Sequence, residues 1–289
     1  MGVARFSRQV ERMLAKFKSG VAYKTFRRWN KSLRRRFDLL SYLGRACRCP
    51  VCLTGLRAFK PARGGFPDEL ARHGFVHPAS AFETFNLEAV SCPACDATDR
   101  ERLTALYLVE MFRTFDPRRR YRLIEFAPGA GLPVLFRRYP FVGYRSADLY
   151  RADVDDRVDI TDMRIYADQS VDVLLCSHVL EHVPEDRKAM SELHRILKSS
   201  GFGIVLVPLV TGVDETHEDP AIDTPALRWK HYGLDDHVRQ YGRRDFVDRL
   251  TGAGFTVDQL GIDHFGAAAF REAGITEKSV LYVVRRSTG

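Results

Sequence analysis

The stretch Tyr121-Arg-Leu-Ile-Glu-Phe126, followed at once by Ala127-Pro-Gly-Ala-Gly131 and Leu132–Tyr139, constrains the fold more than any other part of the chain. An apolar strand, a glycine turn and a helix form the opening unit of a doubly wound parallel sheet, in which backbone approaches a ligand closely and the helix start faces its anionic end. Alone the turn says little, because G-x-G also closes structural turns. The downstream pattern makes it specific. Phe141–Ala147 reads as a second strand ending at Asp148, 23 residues past Glu125, the usual place of a carboxylate that accepts hydrogen bonds from ribose hydroxyls. Asp159-Ile-Thr-Asp162 closes a third strand, Val171–Ser177 is a fourth and Phe202–Pro208 a fifth, with a helix over Glu185–Lys198 between the last two. A helix at Asp245–Ala253 and strands at Phe255–Ile262 and Val280–Val284 complete the count. The expectation is an α/β, Rossmann-like, seven-stranded sheet.

Upstream, Cys49-Pro-Val-Cys52 and Cys92-Pro-Ala-Cys95 stand 39 residues apart in a Pro- and Gly-rich stretch. Two such knuckles can give four thiolates to one tetrahedral zinc, and a closed shell of four protein ligands makes the site structural. Cys47 offers an alternative chelate with Cys49, and His73 or His77 an alternative ligand. About 50 residues holding Phe59, Phe66, Phe75, Phe82 and Phe85 is near the size at which a metal staple becomes necessary. Cys176 ends an apolar run and reads as a buried hydrophobe. Asp96–Pro117 reads as one helix, with Leu103, Leu106, Met111 and Phe115 on its apolar side.

The first 45 residues carry 13 Lys and Arg against Glu11 and Asp38, so the net +8 of the chain belongs to this arm and the remainder sums to −3. Val3, Phe6, Val10, Met13, Leu14 and Phe17, then Phe26, Trp29, Leu33, Phe37 and Leu40, recur at helical spacing and predict two basic amphipathic helices. Such an arm docks its apolar stripe on the protein, lies on an anionic membrane surface, or contacts nucleic acid. No apolar run approaches the roughly 20 residues of a membrane-spanning helix, and the start lacks the apolar core of a secretory signal, so the expected compartment is the cytoplasm.

Taken in order, the two cysteine pairs, Ile124-Glu-Phe-Ala-Pro-Gly-Ala-Gly131, Asp159-Ile-Thr-Asp162, Ser177-His-Val-Leu-Glu-His-Val-Pro184, Leu193-His-Arg-Ile-Leu-Lys198, Val207-Pro208 and Asp236-His-Val-Arg-Gln-Tyr-Gly242 resemble a known family. It is the class I S-adenosylmethionine-dependent methyltransferases (type 11-like), and within them a bacterial group with an N-terminal zinc-ribbon-like module. The resemblance spans roughly 47–262; Ala127-Pro128 departs from the broad class, where Gly-Cys or Gly-Ser is commoner. Beyond the basic arm at 1–46, it implies a zinc-ribbon-like module at 47–97 and a methyltransferase domain at 98–289, with a substrate lid at 210–242. By position, it implies that Glu125, Gly129 and Gly131 shape the methionine end of the cofactor pocket and Asp148 holds the ribose. Asp159 and the backbone of Ile160 would face adenine, and Cys176 and Ser177 would line the methyl-transfer site through backbone groups.

Methyl transfer from a sulfonium is a direct displacement, so the protein must align the acceptor and, for a hydroxyl, remove its proton. His178 and His237 are the candidate acid/base groups. At helical spacing His178, Glu181 and His182 would share one face, where they would bind a divalent ion or order the turn. His217, Arg228, Trp229, His231, Arg239 and Tyr241 equip the lid for a polyhydroxylated or anionic acceptor, or tie it to the body. Three functions follow as expectations: O-methylation of a small molecule or carbohydrate, RNA methylation through arm and zinc module, or a cofactor-dead scaffold held by zinc.

Overall fold

The computed structural model describes residues 39–62 and 64–287, so most of the predicted arm at 1–46 lies outside the described residues. The chain divides into two compact units, Met1–Leu43 and Gly44–Gly289, and the cysteines, cavities and large sheet all belong to the second.

In chain order, β1 (Leu43–Arg48) and β2 (Gly55–Leu56) form a two-stranded sheet, followed by α1 (Phe66–Arg72) and α2 (Asp99–Phe112). Next come β3 (Tyr121–Phe126), α3 (Leu132–Phe136), β4 (Val142–Asp148), β5 (Asp156–Arg157), β6 (Val171–Ser177), α4 (Asp186–Ile196) and β7 (Leu197–Leu206). Helices α5 (Pro225–Tyr232) and α6 (Arg243–Gly252), β8 (Phe255–Leu260), the short helices α7 (Ile262–Phe265) and α8 (Ala267–Ala273), and β9 (Leu281–Arg286) close the order. The large sheet runs β5-β4-β3-β6-β7-β9-β8, with β9 antiparallel to both its neighbours and the other pairs parallel. Its centre, β3 and β6, is a near-continuous apolar run covered on both faces, the habit of parallel strands.

Of the elements that differ from their sequence reading, three bear on the site. Helix α2 begins at Asp99, not Asp96, because Thr98 caps it. The Thr98 side chain accepts from Glu101 N, and Glu101 Oε2 accepts from Thr98 N at 2.8 Å, a capping box contributing about 1 kcal/mol. The third strand shrinks to Asp156–Arg157, and Asp159–Asp162 is a turn in which Asp159 Oδ1 accepts from Thr161 N and Oγ1 at 2.8 Å. The predicted helical face at 178–182 is instead a single 3₁₀ turn, Leu180–His182, preceded by His178 in the left-handed region at φ 56°.

Both central strands end on a left-handed residue. Ala127, at φ 49°, still donates to Ala147 O at 2.9 Å, and His178 still donates to Leu206 O at 2.8 Å, before each turns its segment out of the sheet. A left-handed non-glycine residue costs about 1–2 kcal/mol and persists only where its surroundings over-determine it. The crevice so opened lies where strand order reverses between β3 and β6.

The cysteine-rich segment packs into the same unit. Arg102 of α2, fully buried, donates Nε to Ala273 O at 2.7 Å, Nη1 to Ala97 O at 2.9 Å, and Nη2 to Ala89 O and to Gly274 O. Its guanidinium also lies 4.0 Å over the Phe59 ring. One cation thus joins the carbonyls of the cysteine segment to those at the end of α8. Buried Glu83 adds a second tie, pairing with Arg243 and accepting from Tyr282 Oη at 3.1 Å. Trp229 of α5 stacks on His73 at 4.8 Å and meets Phe66 at 6.5 Å, clasping the segment 210–242 to α1.

Candidate functional site

Three cavities meet at the carboxyl ends of β3, β4 and β6. The first, about 490 Å³, is lined by Asp148, Asp159, Ile160, His178 and His182. The second, about 280 Å³, has walls of Arg100, Glu101, Glu125, Gly129 and Ser177. Phe66, Phe82, Phe85, Arg100, His178 and His237 surround the third, about 270 Å³. Ala127 is common to the first and second, His178 to the first and third, and Arg100 to the second and third. A larger open depression of about 660 Å³ beside Arg164 and Arg195 is lined by charges already paired with Asp162, Asp168 and Glu192.

In the first cavity Asp148 Oδ1 accepts from Tyr150 N and Arg151 N, at 2.8 and 2.9 Å, which fixes the carboxylate on the cavity wall. In the second, Glu125 accepts from Tyr144 Oη at 2.8 Å and from Gly129 N at 3.4 Å. Burial raises its carboxyl to about 7, the Tyr144 bond opposing. Glu101 Oε1 takes Gly131 N at 2.9 Å and Leu132 N at 3.2 Å, so a carboxylate sits on the glycine turn. Any Cβ at Gly129 would meet that oxygen at 2.5 Å, and one at Gly131 would meet the Ala97 Cβ at 2.6 Å. Gly131 lines none of the three cavities; packing of the turn against α2 requires it. Cys176 lines none either. It lies fully buried in register between Phe126 and Val205, and burial pushes its thiol up.

His178 and His237 face one cavity. The His178 Nδ1 lies 3.4 Å from Arg100 Nη1 and 3.5 Å from Glu181 Oε1, while its Nε2 is buried with no partner. Burial, with Arg100 adding to it, holds the His178 imidazole well below the usual histidine range, and burial lowers His237 to about 4. Both rings are therefore neutral near pH 7. His237 reaches the site because Val238 N donates to Glu181 O at 2.9 Å, binding the segment 210–242 to the turn after β6. Arg239 and Tyr241 serve that attachment: Arg239 donates to Leu180 O, Val183 O and Pro184 O, and Tyr241 Oη to Asp186 Oδ2 at 2.5 Å.

At the four cysteines, two knuckles repeat one hydrogen-bond pattern. Leu53 N donates to Cys49 O at 2.8 Å and Asp96 N to Cys92 O at 2.9 Å; Cys49 N and Cys92 N donate in turn to Thr54 O and Ala97 O. Each knuckle ends on a left-handed residue, Leu53 at φ 63° and Asp96 at φ 60°. Cys49 Sγ lies 3.7 Å from Cys95 Sγ, Cys52 Sγ lies 3.8 Å from Cys92 Sγ, and all four sulfurs fall within 4.8 Å of one another. Cys47 stands outside this group, and among the described residues neither His73 nor His77 joins it.

Sequence reasoning missed Arg100, Glu101 and the Phe66, Phe82 and Phe85 wall. The Thr98-x-x-Glu101 capping box was the available signal for the first two, since it fixes the start of α2 beside the glycine turn. The aromatic wall comes from residues far apart in sequence from the strands they face, and no local pattern announces it.

Among curated proteins none matches the sequence. Solved structures of similar shape include the YcgJ protein of Bacillus subtilis, 17% identical, with 62% of this chain and 98% of that one covered at a TM-score of 0.40. A 1,6-didemethyltoxoflavin N1-methyltransferase of Burkholderia thailandensis is 14% identical, covering 64% and 77% at 0.43. The CMeT domain of a citrinin polyketide synthase is 19% identical, covering 69% and 55% at 0.45. Residues 96–260 match the family described as a methyltransferase domain. That span runs from just past the second cysteine pair to the last residue of β8 and takes in all five parallel strands, so the chain belongs to the class I S-adenosylmethionine-dependent methyltransferases.

Proposed function

We propose that the enzyme binds the adenosine of its cofactor in the first cavity and the methionine portion in the second, and methylates an oxygen of a small-molecule or carbohydrate acceptor in the third. The observation that carries this reading is His178, a neutral imidazole with an unpartnered Nε2, standing on the wall of both the adenosine and the acceptor cavities. Bound S-adenosylmethionine supplies a methyl group on a sulfonium, ready for in-line displacement. Asp148 Oδ2 receives the ribose hydroxyls, the Asp159–Ile160 turn meets adenine, and Glu125 with Gly129 and Ser177 holds the amino-acid end. His178 Nε2 takes the proton of the acceptor hydroxyl in the tautomer whose ring proton lies on Nδ1, turned to Glu181 Oε1 at 3.5 Å and not accepting from Arg100, a role worth about 10²–10⁴ in rate, and His237 closes the opposite wall. Phe66, Phe82 and Phe85 give the acceptor an apolar face, and Arg100 attracts an anionic substituent.

At the cysteines we infer structural zinc at Cys49, Cys52, Cys92 and Cys95. Zn–S bonds of about 2.3 Å in a tetrahedron separate sulfurs by about 3.8 Å, the spacing of the two close pairs. Reduced thiols of this kind fit a cytoplasmic setting; no helix of the described residues is long and apolar enough to cross a membrane. The excess charge of residues 1–46 favours RNA as the second reading for the acceptor, with an anionic membrane as another partner for the arm. RNA binding through the arm would fall steeply with salt and vanish on its deletion.

Calorimetric titration with S-adenosylmethionine and its demethylated product, on the intact chain and on Asp148→Ala, tests the cofactor site. Micromolar binding weakened at least tenfold by the substitution supports it; no binding by zinc-loaded protein overturns it. With an acceptor in hand, His178→Ala should lower kcat far more than it weakens cofactor binding, because it removes the proton acceptor but only one wall contact of the adenosine cavity.

A further inference from the structure

Where the turn after β6 meets the lid, a second group of ligand atoms gathers around Glu181. This side chain is fully buried and neither carboxylate oxygen receives a hydrogen bond. A fold carries such a cost only where something else fills the gap. The nearby cations do not fill it. Arg239 spends its donors on three carbonyls and Glu218, and Arg100 contacts His178.

Two imidazoles present their free nitrogens to that carboxylate. His237 Nδ1 lies 3.0 Å from Tyr232 O and therefore carries the ring proton, leaving the lone pair on Nε2, 4.0 Å from Glu181 Oε1. His182 is built the same way, with Nδ1 at 3.2 Å from Asp236 Oδ1 and Nε2 at 4.0 Å from the same Glu181 oxygen. Anchoring one ring nitrogen on a carbonyl or carboxylate so that the other faces inward is how proteins orient metal-ligating histidines. One ligand atom from each of Glu181, His182 and His237 fits within a 4.8 Å group. Metal bonds of about 2.0–2.2 Å place donors about 3.0–3.6 Å apart, so closing on an ion needs side-chain movements of about half an ångström.

We propose that Glu181, His182 and His237 hold a divalent transition-metal ion of the zinc, cobalt, iron or manganese type, as a donor set of two imidazoles and one carboxylate favours. Three protein ligands leave coordination positions open. His237 lines the acceptor cavity and His182 the adenosine cavity, so the ion stands between them, where an acceptor hydroxyl or vicinal diol can bind it through oxygen. That choice of acceptor rests on the methyl-transfer reading; ion binding does not.

Equilibrium dialysis of the full chain against Co²⁺ tests the site. Thiolate-bound cobalt gives an intense sulfur-to-metal charge-transfer band, and cobalt held by nitrogen and oxygen does not, so the two sites are counted separately. The expected result is two cobalt per chain, with Glu181→Gln, His182→Gln and His237→Ala each weakening the second by at least tenfold while the charge-transfer band, the sign of a folded cysteine site, is unchanged. A substitution that loses the band is set aside as misfolded, and the remaining ones decide. Cobalt bound by the wild-type chain only with the charge-transfer band, or two retained in the band-positive variants, overturns the proposal. Cofactor titration on the same samples separates the readings, since a wild-type chain that binds two cobalt but no S-adenosylmethionine fails only the methyl-transfer assignment.

Discussion

Around the four cysteines the backbone is committed before any ion enters: Leu53 N and Asp96 N close on Cys49 O and Cys92 O, and both knuckles return through Thr54 O and Ala97 O. Around Glu181 the reverse holds, because the backbone of the turn ties to the lid while the side-chain acceptors are left bare. The first cluster spends its polar groups on holding a shape. The second keeps its polar groups uncommitted beside a cavity, at a cost the rest of the fold must offset. The contrast teaches that proximity of ligand atoms alone does not tell a strut from a reactive edge; the satisfaction of the surrounding hydrogen bonds does.

The largest effect should come from breaking the strut. Stripping the cysteine site with a strong chelator, or Cys92→Ser, should remove on the order of 10 kcal/mol from the folding of residues 44–97, seen as loss of the cooperative thermal transition together with one equivalent of zinc. Chelation of the Glu181 site alone should leave the transition intact. Next, Arg102→Met should cost about 3–5 kcal/mol, because it strands the carbonyls of Ala89, Ala97, Ala273 and Gly274 that the guanidinium now serves. A melting temperature lowered by about 10 °C, with zinc retained, would place this tie outside the metal shell.

A smaller effect sharpens the reactive side of the comparison. On the proposed cofactor placement Glu125 holds the ammonium group only once it has lost its proton, and burial sets its carboxyl at about 7. About a tenth is ionised at pH 6 and about nine-tenths at pH 8, so cofactor affinity should rise about tenfold over that range and the rise should vanish in Glu125→Gln. The direction follows from a raised pKa: protonation competes with binding below 7 and ceases to compete above it. Smallest of all, Ala127→Gly relieves the left-handed penalty but adds backbone entropy to the unfolded chain, and should stabilise by less than about 1 kcal/mol in a thermal melt.

Strands β3 and β6 were legible to the residue, since buried parallel strands write themselves as short apolar runs bounded by turn signals. The cysteine cluster was legible because both halves carry a local, repeated motif. The face of His178, Glu181 and His182 was misread because 3.6-residue periodicity over five residues cannot tell an α-helix from a left-handed residue followed by a 3₁₀ turn. His237 belongs beside Glu181 through one long-range backbone bond, Val238 N to Glu181 O, and no local spacing encodes it. The short third strand failed for a related reason: Asp159 bonds its own turn, an option that competes with the ladder.

Phe66, Phe82 and Phe85 line the third cavity from a stretch of chain that ends before α2 and lies outside the matched catalytic span of 96–260. Arg100, His178, Tyr232 and His237, all inside that span, complete the cavity, so on this reading the acceptor meets one wall from each stretch. A change at Phe66, Phe82 or Phe85 would then reshape the acceptor wall while every strand that frames the donor crevice stays in place.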